Sequence, residues 1–441
     1  MDDARSASSP PLHVVICPWL AFGHILPYLE LAERLASRGH RVSFLSTPKT
    51  SLASLPRRHA TIIDLVALPL PRVEGLPEGA ESTNDVPGDR LEPLFEAFDS
   101  LAAPFAEFLR AACAGGGEGS RRPRPDWIVA DTLTHWAATV ALQHKVPCAM
   151  LVSTAAVISA FACGAREHAE LAADSIFEQP ATVAVEEPPA GMPRYEWKRN
   201  AAGLFTPHER TGMSVARRIT LTLQRCTITA MRSCPEWELH AFSHAAALLG
   251  KPLVPLGLLP PSPDGGRGAG MNRDDATVQW LDAQPPKSVV YVALGGEVPL
   301  RVDQVHEMAH GLEMAEARFL WALRPPRGVP DDMDVLPPGF QERTRGHGLV
   351  TMGWVSQNTV LAHGAVGAFL THCGRSSLIE GLLYGHPLIM LPISGDQGPN
   401  ARLMAGRKVG LQVPRDEDDG SFNREGMANA IGSGLLNWKL E

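Results

Sequence analysis

The chain lacks the features that would place it in several large classes. Its 441 residues include only seven cysteines (Cys17, Cys113, Cys148, Cys163, Cys226, Cys234 and Cys373), and none form a C-x-x-C pair. An odd number scattered along a long chain is no disulfide framework, which points to a reducing compartment. There is no basic excess either. The formal net charge of −8 and pI of about 6.1 argue against a nucleic-acid binder, whose footprint is cationic. The one basic run, RRPRP at 121–125, follows the glycine-rich AGGGEGS and reads as a solvated loop. The N-terminus, MDDARSASSPP, is acidic and polar, unlike a secretory leader. The nearest approach to a membrane span, 146–165, holds a proline and several hydroxyl side chains, and reads as a buried strand followed by a buried helix. A cytoplasmic location is expected. No strand is followed by G-x-G-x-x-G, the fingerprint of nicotinamide and flavin enzymes.

What is present is an ordinary globular composition, with 44% hydrophobic and 20% charged residues. LHVVICP is a β-rich apolar run, LPYLELAERLASRG has helical periodicity through Leu26, Leu29, Ala32 and Leu35, and HRVSFLST is a second strand. Strand, crossover helix and strand make a right-handed parallel unit. PDWIVAD, HWAATVALQHKVP and CAMLVST repeat it. Residues 1–250 therefore predict one α/β domain. The stretch 251–287 is rich in Pro, Gly and charge and reads as a connection. Over 288–441 the α/β pattern restarts with KSVVYVAL, RFLWAL, GLVTMGWV, GAFLTH and PLIMLPI as strands. The fold class is α/β, with two doubly wound Rossmann-like domains facing across a cleft. Ligands of such sheets lie beyond the carboxyl ends of the strands. Residues 166–217 read as a loop or lid insertion and suggest no chemistry.

THCGRSSLIEGLLYG, 371–385, follows a strand and turns into a helix whose apolar positions are Leu378, Ile379, Leu382 and Leu383. Arg375 falls in the first turn, where a cation opposes the helix dipole at a cost of ~0.3–1 kcal/mol. An anion at the helix start would reverse that sign. Unpaired N–H groups suit phosphate there, with Gly374 at the turn, His372, Arg375, Ser376 and Ser377 as further donors and Glu380 one turn on. The same residues are equally consistent with a serine cap and a surface arginine. Gly296, in ALGGEVP after another strand, lets the backbone approach a bulky anion, or merely makes a tight turn. His24 lies at the carboxyl end of the first strand, just before its helix, and Asp131 ends a strand of the same sheet. A carboxylate on one ring nitrogen would orient a histidine base; a structural histidine is the alternative. HEMAH, 306–310, matches H-E-x-x-H, but Val302, Val305, Met308, Ala309 and Leu312 mark the buried stripe and turn the motif away from it. His240 and His244 also stand four apart on a helix, with nothing else to suggest a metal.

Together these elements resemble the plant secondary-product UDP-glycosyltransferases, with the two-Rossmann GT-B architecture. The carrying stretch is WVSQNTVLAHGAVGAFLTHCGRSSLIEGLLYGHPLIMLPISGDQ, 354–397, and the similarity runs from His13 to about Ala428. LPEGAESTNDVP and HWAA resemble the branch that adds a sugar to a sugar on a flavonoid or terpenoid. The resemblance implies that Trp354 stacks on uracil, Gln357 supports the nucleoside and Glu380 holds the ribose. His372, Ser376 and Ser377 would contact the pyrophosphate, with Arg375 facing it and Asn400 near the donor. Asp396 and Gln397 would bind the donor sugar, Gln397 leaning to glucose, while His24 deprotonates the acceptor hydroxyl and Asp131 orients it. No cofactor or metal is implied; the UDP-sugar is a co-substrate, its partner a small-molecule glycoside. Three departures stand out. Arg375-Ser376-Ser377 replaces Trp-Asn-Ser, Gly296 replaces a serine facing the phosphates, and relatives continue beyond GSGLLNWKLE with helices that return across the cleft. A paralogue that binds nucleotide or glycoside without turnover is the reading from another class, and a zinc hydrolase a distant third.

Overall fold

The first strand, β1 (His13–Cys17), is buried at all five positions, as a central parallel strand covered on both faces must be. The computed structural model describes residues 10–48, 63–86, 90–114, 124–159, 191–261, 276–326, 329, 334–352 and 355–436. β1 pairs in parallel with β2 (Arg41–Ser46) on one side and β4 (Trp127–Asp131) on the other. With β3 (Ile63–Ala67), β5 (Cys148–Val152), β6 (Ile228–Met231) and β7 (Leu253–Pro255), the first sheet has the order β3-β2-β1-β4-β5-β6-β7. The second contains β8 (Val289–Ala293), β9 (Arg318–Leu323), β10 (Gly348–Met352), β11 (Val366–Thr371), β12 (Leu388–Met390) and β13 (Gly410–Gln412), in the order β10-β9-β8-β11-β12-β13. In each sheet the order reverses beside the first strand, opening a crevice at the carboxyl edge.

Three expectations need correction. The first sheet does not stop at 250, because β7 pairs with β6. Its prolines, Pro252 and Pro255, disguise a short strand at the sheet edge, where a missing N–H is tolerated. Helix α8 (Ala276–Asp282) also falls inside the presumed linker, yet Leu281 is buried in the second domain's core. Helix α1 (Phe22–Ser37) starts a turn earlier than the periodicity predicts, since the Ala21 carbonyl accepts from the N–H groups of His24 and Ile25. It buries Ile25, Tyr28, Leu29, Ala32 and Ala36, leaving Leu26 and Leu35 half-buried.

The remaining helices are α2 (Glu92–Asp99), α3 (Ala102–Ala114), α4 (His135–Gln143), α5 (Arg194–Phe205), α6 (Val215–Arg225), α7 (Pro235–Leu249), α9 (Val302–Met314), α10 (Phe340–Arg343), α11 (Gln357–Leu361), α12 (Arg375–Leu383), α13 (Gln397–Gly406) and α14 (Arg424–Leu436). α5 and the start of α6 occupy the part of 166–217 that lies within the described residues. α9 buries Val305, Met308, Ala309 and Leu312 as its periodicity predicts. In HEMAH, Glu307 accepts from the Arg424 backbone N–H at 2.8 Å and from its guanidinium, which ties α9 to α14. On α12, Leu378 and Ile379 are buried but Leu383 is 38% exposed. Among the described residues no helix is long and apolar enough to cross a membrane.

Candidate active site

His24 and Asp131 reach each other because β1 and β4 are neighbours, with Cys17 opposite Ala130. His24 therefore lies in the first turn of α1, not before it, and its Nδ1 is 2.8 Å from Asp131 Oδ2. The carboxylate is fully buried, while the histidine side chain keeps 23% of its surface exposed. The other oxygen, Asp131 Oδ1, accepts from the Leu133 N–H and the Thr132 hydroxyl, each at 3.1 Å. Burial opposes the charge on Asp131, yet His24 and the backbone N–H groups of Leu133 and Trp19 outweigh it and lower its pKa. Burial likewise opposes protonation of His24, but Asp131, with contributions from Glu297 and Asp396, raises its pKa above the ordinary value. An ionised Asp131 puts the ring proton on Nδ1 and leaves Nε2 as the basic nitrogen. Such a pair can serve as a base with a built-in orienter.

The second sheet supplies the other half. From β11 the chain passes through His372 and a left-handed Cys373 (φ 68°) to Gly374, which caps α12 without a side chain. The first-turn N–H groups are thus left for a ligand. The His372 ring fills the gap between two turns: a Cβ on Gly295 would lie 2.8 Å from its Nε2, and one on Gly374 would lie 2.5 Å away. Burial pushes the His372 pKa down to about 4, so the ring is neutral at pH 7, and its Nδ1 is buried without a partner. Gln357, opening α11, donates its amide to Glu380 Oε2 at 2.6 Å and to Ser377 Oγ at 3.1 Å. Three residues named from sequence therefore meet in one hydrogen-bonded group. Trp354 lies outside the described residues.

Asp396 precedes α13, and its Oδ2 accepts from the Asn400 amide at 3.0 Å; burial raises its pKa against that bond and the charges of Arg375 and His24. Asn400 also donates to the Cys373 carbonyl at 3.2 Å, linking the α12 and α13 turns. Gln397 Oε1 accepts from the N–H groups of Ile393 and Ser394, both at 2.8 Å, which fixes the direction of its NH2 group. Gly296 lies against Arg324, whose guanidinium a Cβ would meet at 3.0 Å.

Arg375 corrects the sequence expectation. It is paired within the protein: its Nη2 donates to the Arg232 carbonyl at 2.6 Å and to Glu238 Oε2 at 3.3 Å, while its Nε is buried without a partner. Both residues belong to the first domain. The serine hydroxyls are also engaged, Ser376 Oγ accepting from Arg232 Nη1 at 3.0 Å. Sequence reasoning missed these partners, and it missed α5. There Glu196 accepts two bonds from Arg402, at 2.9 and 2.7 Å, and Asn200 donates to the Gly395 carbonyl at 3.0 Å. No periodic pattern in 166–217 pointed to that bridge. Thr83, in turn, donates to Glu297 Oε1 at 3.1 Å and joins the two rims near the base.

This geometry agrees with what the chain is similar to. A family model described as UDP-glucoronosyl and UDP-glucosyl transferase matches residues 264–436. UDP-glycosyltransferase 91D2 of Stevia rebaudiana is 38% identical over 433 residues, 96% of this chain and 86% of its own length. Soyasaponin III rhamnosyltransferase of Glycine max is 34% identical over 438 residues, with 96% and 88% covered. Among solved structures, Arabidopsis thaliana UGT89C1 complexed with UDP-L-rhamnose superposes with a TM-score of 0.71 over 97% of this chain and 91% of that one; at 23% identity it speaks for the fold alone. The parallel sheets, the facing rims and relatives that span nearly the whole chain lead to one conclusion: the protein belongs to the plant UDP-glycosyltransferase family and has its GT-B fold.

Proposed function

We propose that this glycosyltransferase moves a hexose, glucose in the first instance, from its UDP-sugar to a hydroxyl of a small plant metabolite, with inversion at the anomeric carbon. The observation that carries this reading is the His24–Asp131 pair at 2.8 Å, on the rim opposite the uncapped start of α12. His24 Nε2 takes the proton from the acceptor hydroxyl as its oxygen attacks the anomeric carbon. The bond to the UDP oxygen breaks on the far face, and UDP leaves with the electron pair. Asp131 stabilises the imidazolium that forms. The departing charge is met by the α12 N–H groups, Ser376, Ser377 and His372, as helix starts meet phosphates elsewhere. The Gln357–Glu380 pair takes the ribose.

The donor sugar lies against Asp396 and Gln397. Because Gln397 Oε1 is occupied, its NH2 group is the part turned to a sugar hydroxyl. A terpenoid glycoside as acceptor is supported by the relative named for soyasaponin III. Six free cysteines among the described residues support a cytoplasmic site of action. The test is UDP release from UDP-glucose, UDP-rhamnose and UDP-xylose against a panel of flavonoid and terpenoid glycosides. Acceptor-dependent release with UDP-glucose, lost at least ~100-fold in His24→Ala, is expected. UDP binding without release from any pair would replace this reading with that of a non-catalytic paralogue.

A further inference from the structure

Arg375 and Arg232 grip each other's surroundings across the domain boundary. Arg375, at the start of α12, donates to the Arg232 carbonyl at 2.6 Å and to Glu238 at 3.3 Å; in return Arg232 donates to Ser376 Oγ at 3.0 Å, one residue further along α12. Each partner is anchored within the first domain. Arg232 Nε and Nη2 donate to the carbonyls of Leu258 and Leu259 at 2.9 and 3.3 Å, just past β7. Glu238 accepts from the N–H groups of Ala156 and Val157 at 3.2 and 3.1 Å, just past β5, and from the Ser233 hydroxyl, just past β6. Three carboxyl-edge loops of the first sheet thus converge on the first two residues of α12. The backbone at Glu238 leaves helical geometry inside α7, with φ −138° and ψ 53°. Its side chain is fully buried and that of Arg375 is 4% exposed, so water competes little for the pair.

We propose that Arg375 is a positioning residue of sugar transfer: with Glu238 and Arg232 it forms a clasp that seats the first turn of α12 against the acceptor domain and so sets the span between the diphosphate site and the His24 base. This rests on the reading of the α12 start as the diphosphate site. The charge that sequence reasoning assigned to the ligand is spent instead on aligning the two half-sites. The Asp396 carboxylate interacts electrostatically with both Arg375 and His24, which places the clasp and the base around one donor-site group. A small misplacement there is costly, because transfer requires the acceptor oxygen and the anomeric carbon in line.

The test compares wild type with Arg375→Met and Arg375→Lys. Methionine removes the charge at similar length while Glu238 keeps three other donors, and lysine keeps the counter-charge should methionine fail to fold. UDP and uridine are titrated calorimetrically, kcat and KM are measured with UDP-glucose and an acceptor from the screen, and ligand-free protein is compared by small-angle scattering. The expected result for Arg375→Met is a kcat lowered about 10- to 100-fold and a more open scattering envelope, with lysine recovering part of both. The ratio of UDP to uridine affinity stays within about threefold of wild type, since the clasp assigns the residue no contact with phosphate. A fall of more than about tenfold in UDP affinity with uridine unaffected would make Arg375 a phosphate ligand and overturn the clasp. Unchanged kcat and scattering would overturn it too. If wild type binds neither UDP nor uridine, the diphosphate reading fails instead, and the scattering comparison still decides whether Arg375 holds the domains together.

Discussion

Replacing Asp131 by asparagine tests the base and its orienter together. In the wild type, burial pulls the His24 pKa down and the carboxylate 2.8 Å away pushes it up further, so the ring titrates above 6.5. The neutral ring is the active form, and kcat/KM should rise with pH through that raised value. Asparagine keeps the burial and removes the charge. The acid limb should therefore move to lower pH, though Glu297 and Asp396 still favour the charged ring. At the plateau, the hydrogen bond from the developing imidazolium to a charged acceptor is worth ~1.5–3 kcal/mol, or about ten- to somewhat over a hundredfold at 1.36 kcal/mol per decade. An asparagine amide can also donate to Nδ1, which sends the ring proton to Nε2, where the basic lone pair is needed. Misplaced tautomers bring the expected loss to ~10²–10⁴. The fold should survive, because an amide oxygen can still accept from Leu133 and Thr132. The assay is initial-rate UDP release at saturating donor over roughly pH 5 to 9. A plateau rate within about threefold of wild type, or an acid limb that stays in place, refutes the pairing as the source of catalysis.

Three further outcomes are expected. Gly398→Ala would drive a Cβ to 2.2 Å from Glu196 Oε2, which Arg402 holds in place, so α5 must lift from α13; the midpoint of thermal unfolding should fall by the several degrees that ~1–3 kcal/mol of overpacking produces, and an unchanged midpoint contradicts the bridge. Gly296→Ser meets only the mobile end of Arg324 at 3.0 Å and places a hydroxyl beside the phosphate turn, so UDP should bind about 2- to 10-fold more tightly, as calorimetry will read. His372, with its pKa lowered to about 4, binds fewer protons folded than unfolded between that value and 6.5. Stability should therefore decline as pH falls through this window, by on the order of 3 kcal/mol in all, and urea midpoints in His372→Asn should lose that share of the slope.

The fold was legible because its strands are buried on both faces. Runs such as HVVIC and VVYVA are apolar almost throughout and buried at every position, as central parallel strands must be. His24 and Asp131 stood out for the same reason, as polar groups just beyond apolar runs of adjacent strands. Gln357 has no such marker and came only with the resemblance, whereas Glu380 also followed from its place one turn into the helix; the hydrogen bond between them supports their pairing. Arg375 shows where reading one sequence fails. Its position in the first turn was correct, but its carboxylate partner lies 137 residues upstream, at a break in a helix, and nothing local announces it. β7 was hidden by prolines that an edge strand tolerates. α5 was hidden because it earns its place by charge at Glu196 rather than by an apolar stripe.

Beside the Trp237 ring that packs on the second core and the Tyr195 ring under Arg415, four contacts between the two halves are polar and directional. Thr83 with Glu297, Glu196 with Arg402, Arg375 with Glu238 and Arg232 with Ser376 each depend on direction as well as distance. An apolar seam of the same extent would hold the halves together without fixing their angle, and would resist the opening that admits substrate. Directional pairs act differently: they lose most of their worth once misaligned, so they define the angle between the halves. The more exposed pairs yield first to salt and water, whereas the buried Arg375–Glu238 pair sits beside the donor helix where alignment matters most. Charge placed at a helix start against its own dipole is unfavourable in isolation. On the proposed reading it becomes intelligible as the fastening between the start of α12 and the domain that carries His24 and Asp131.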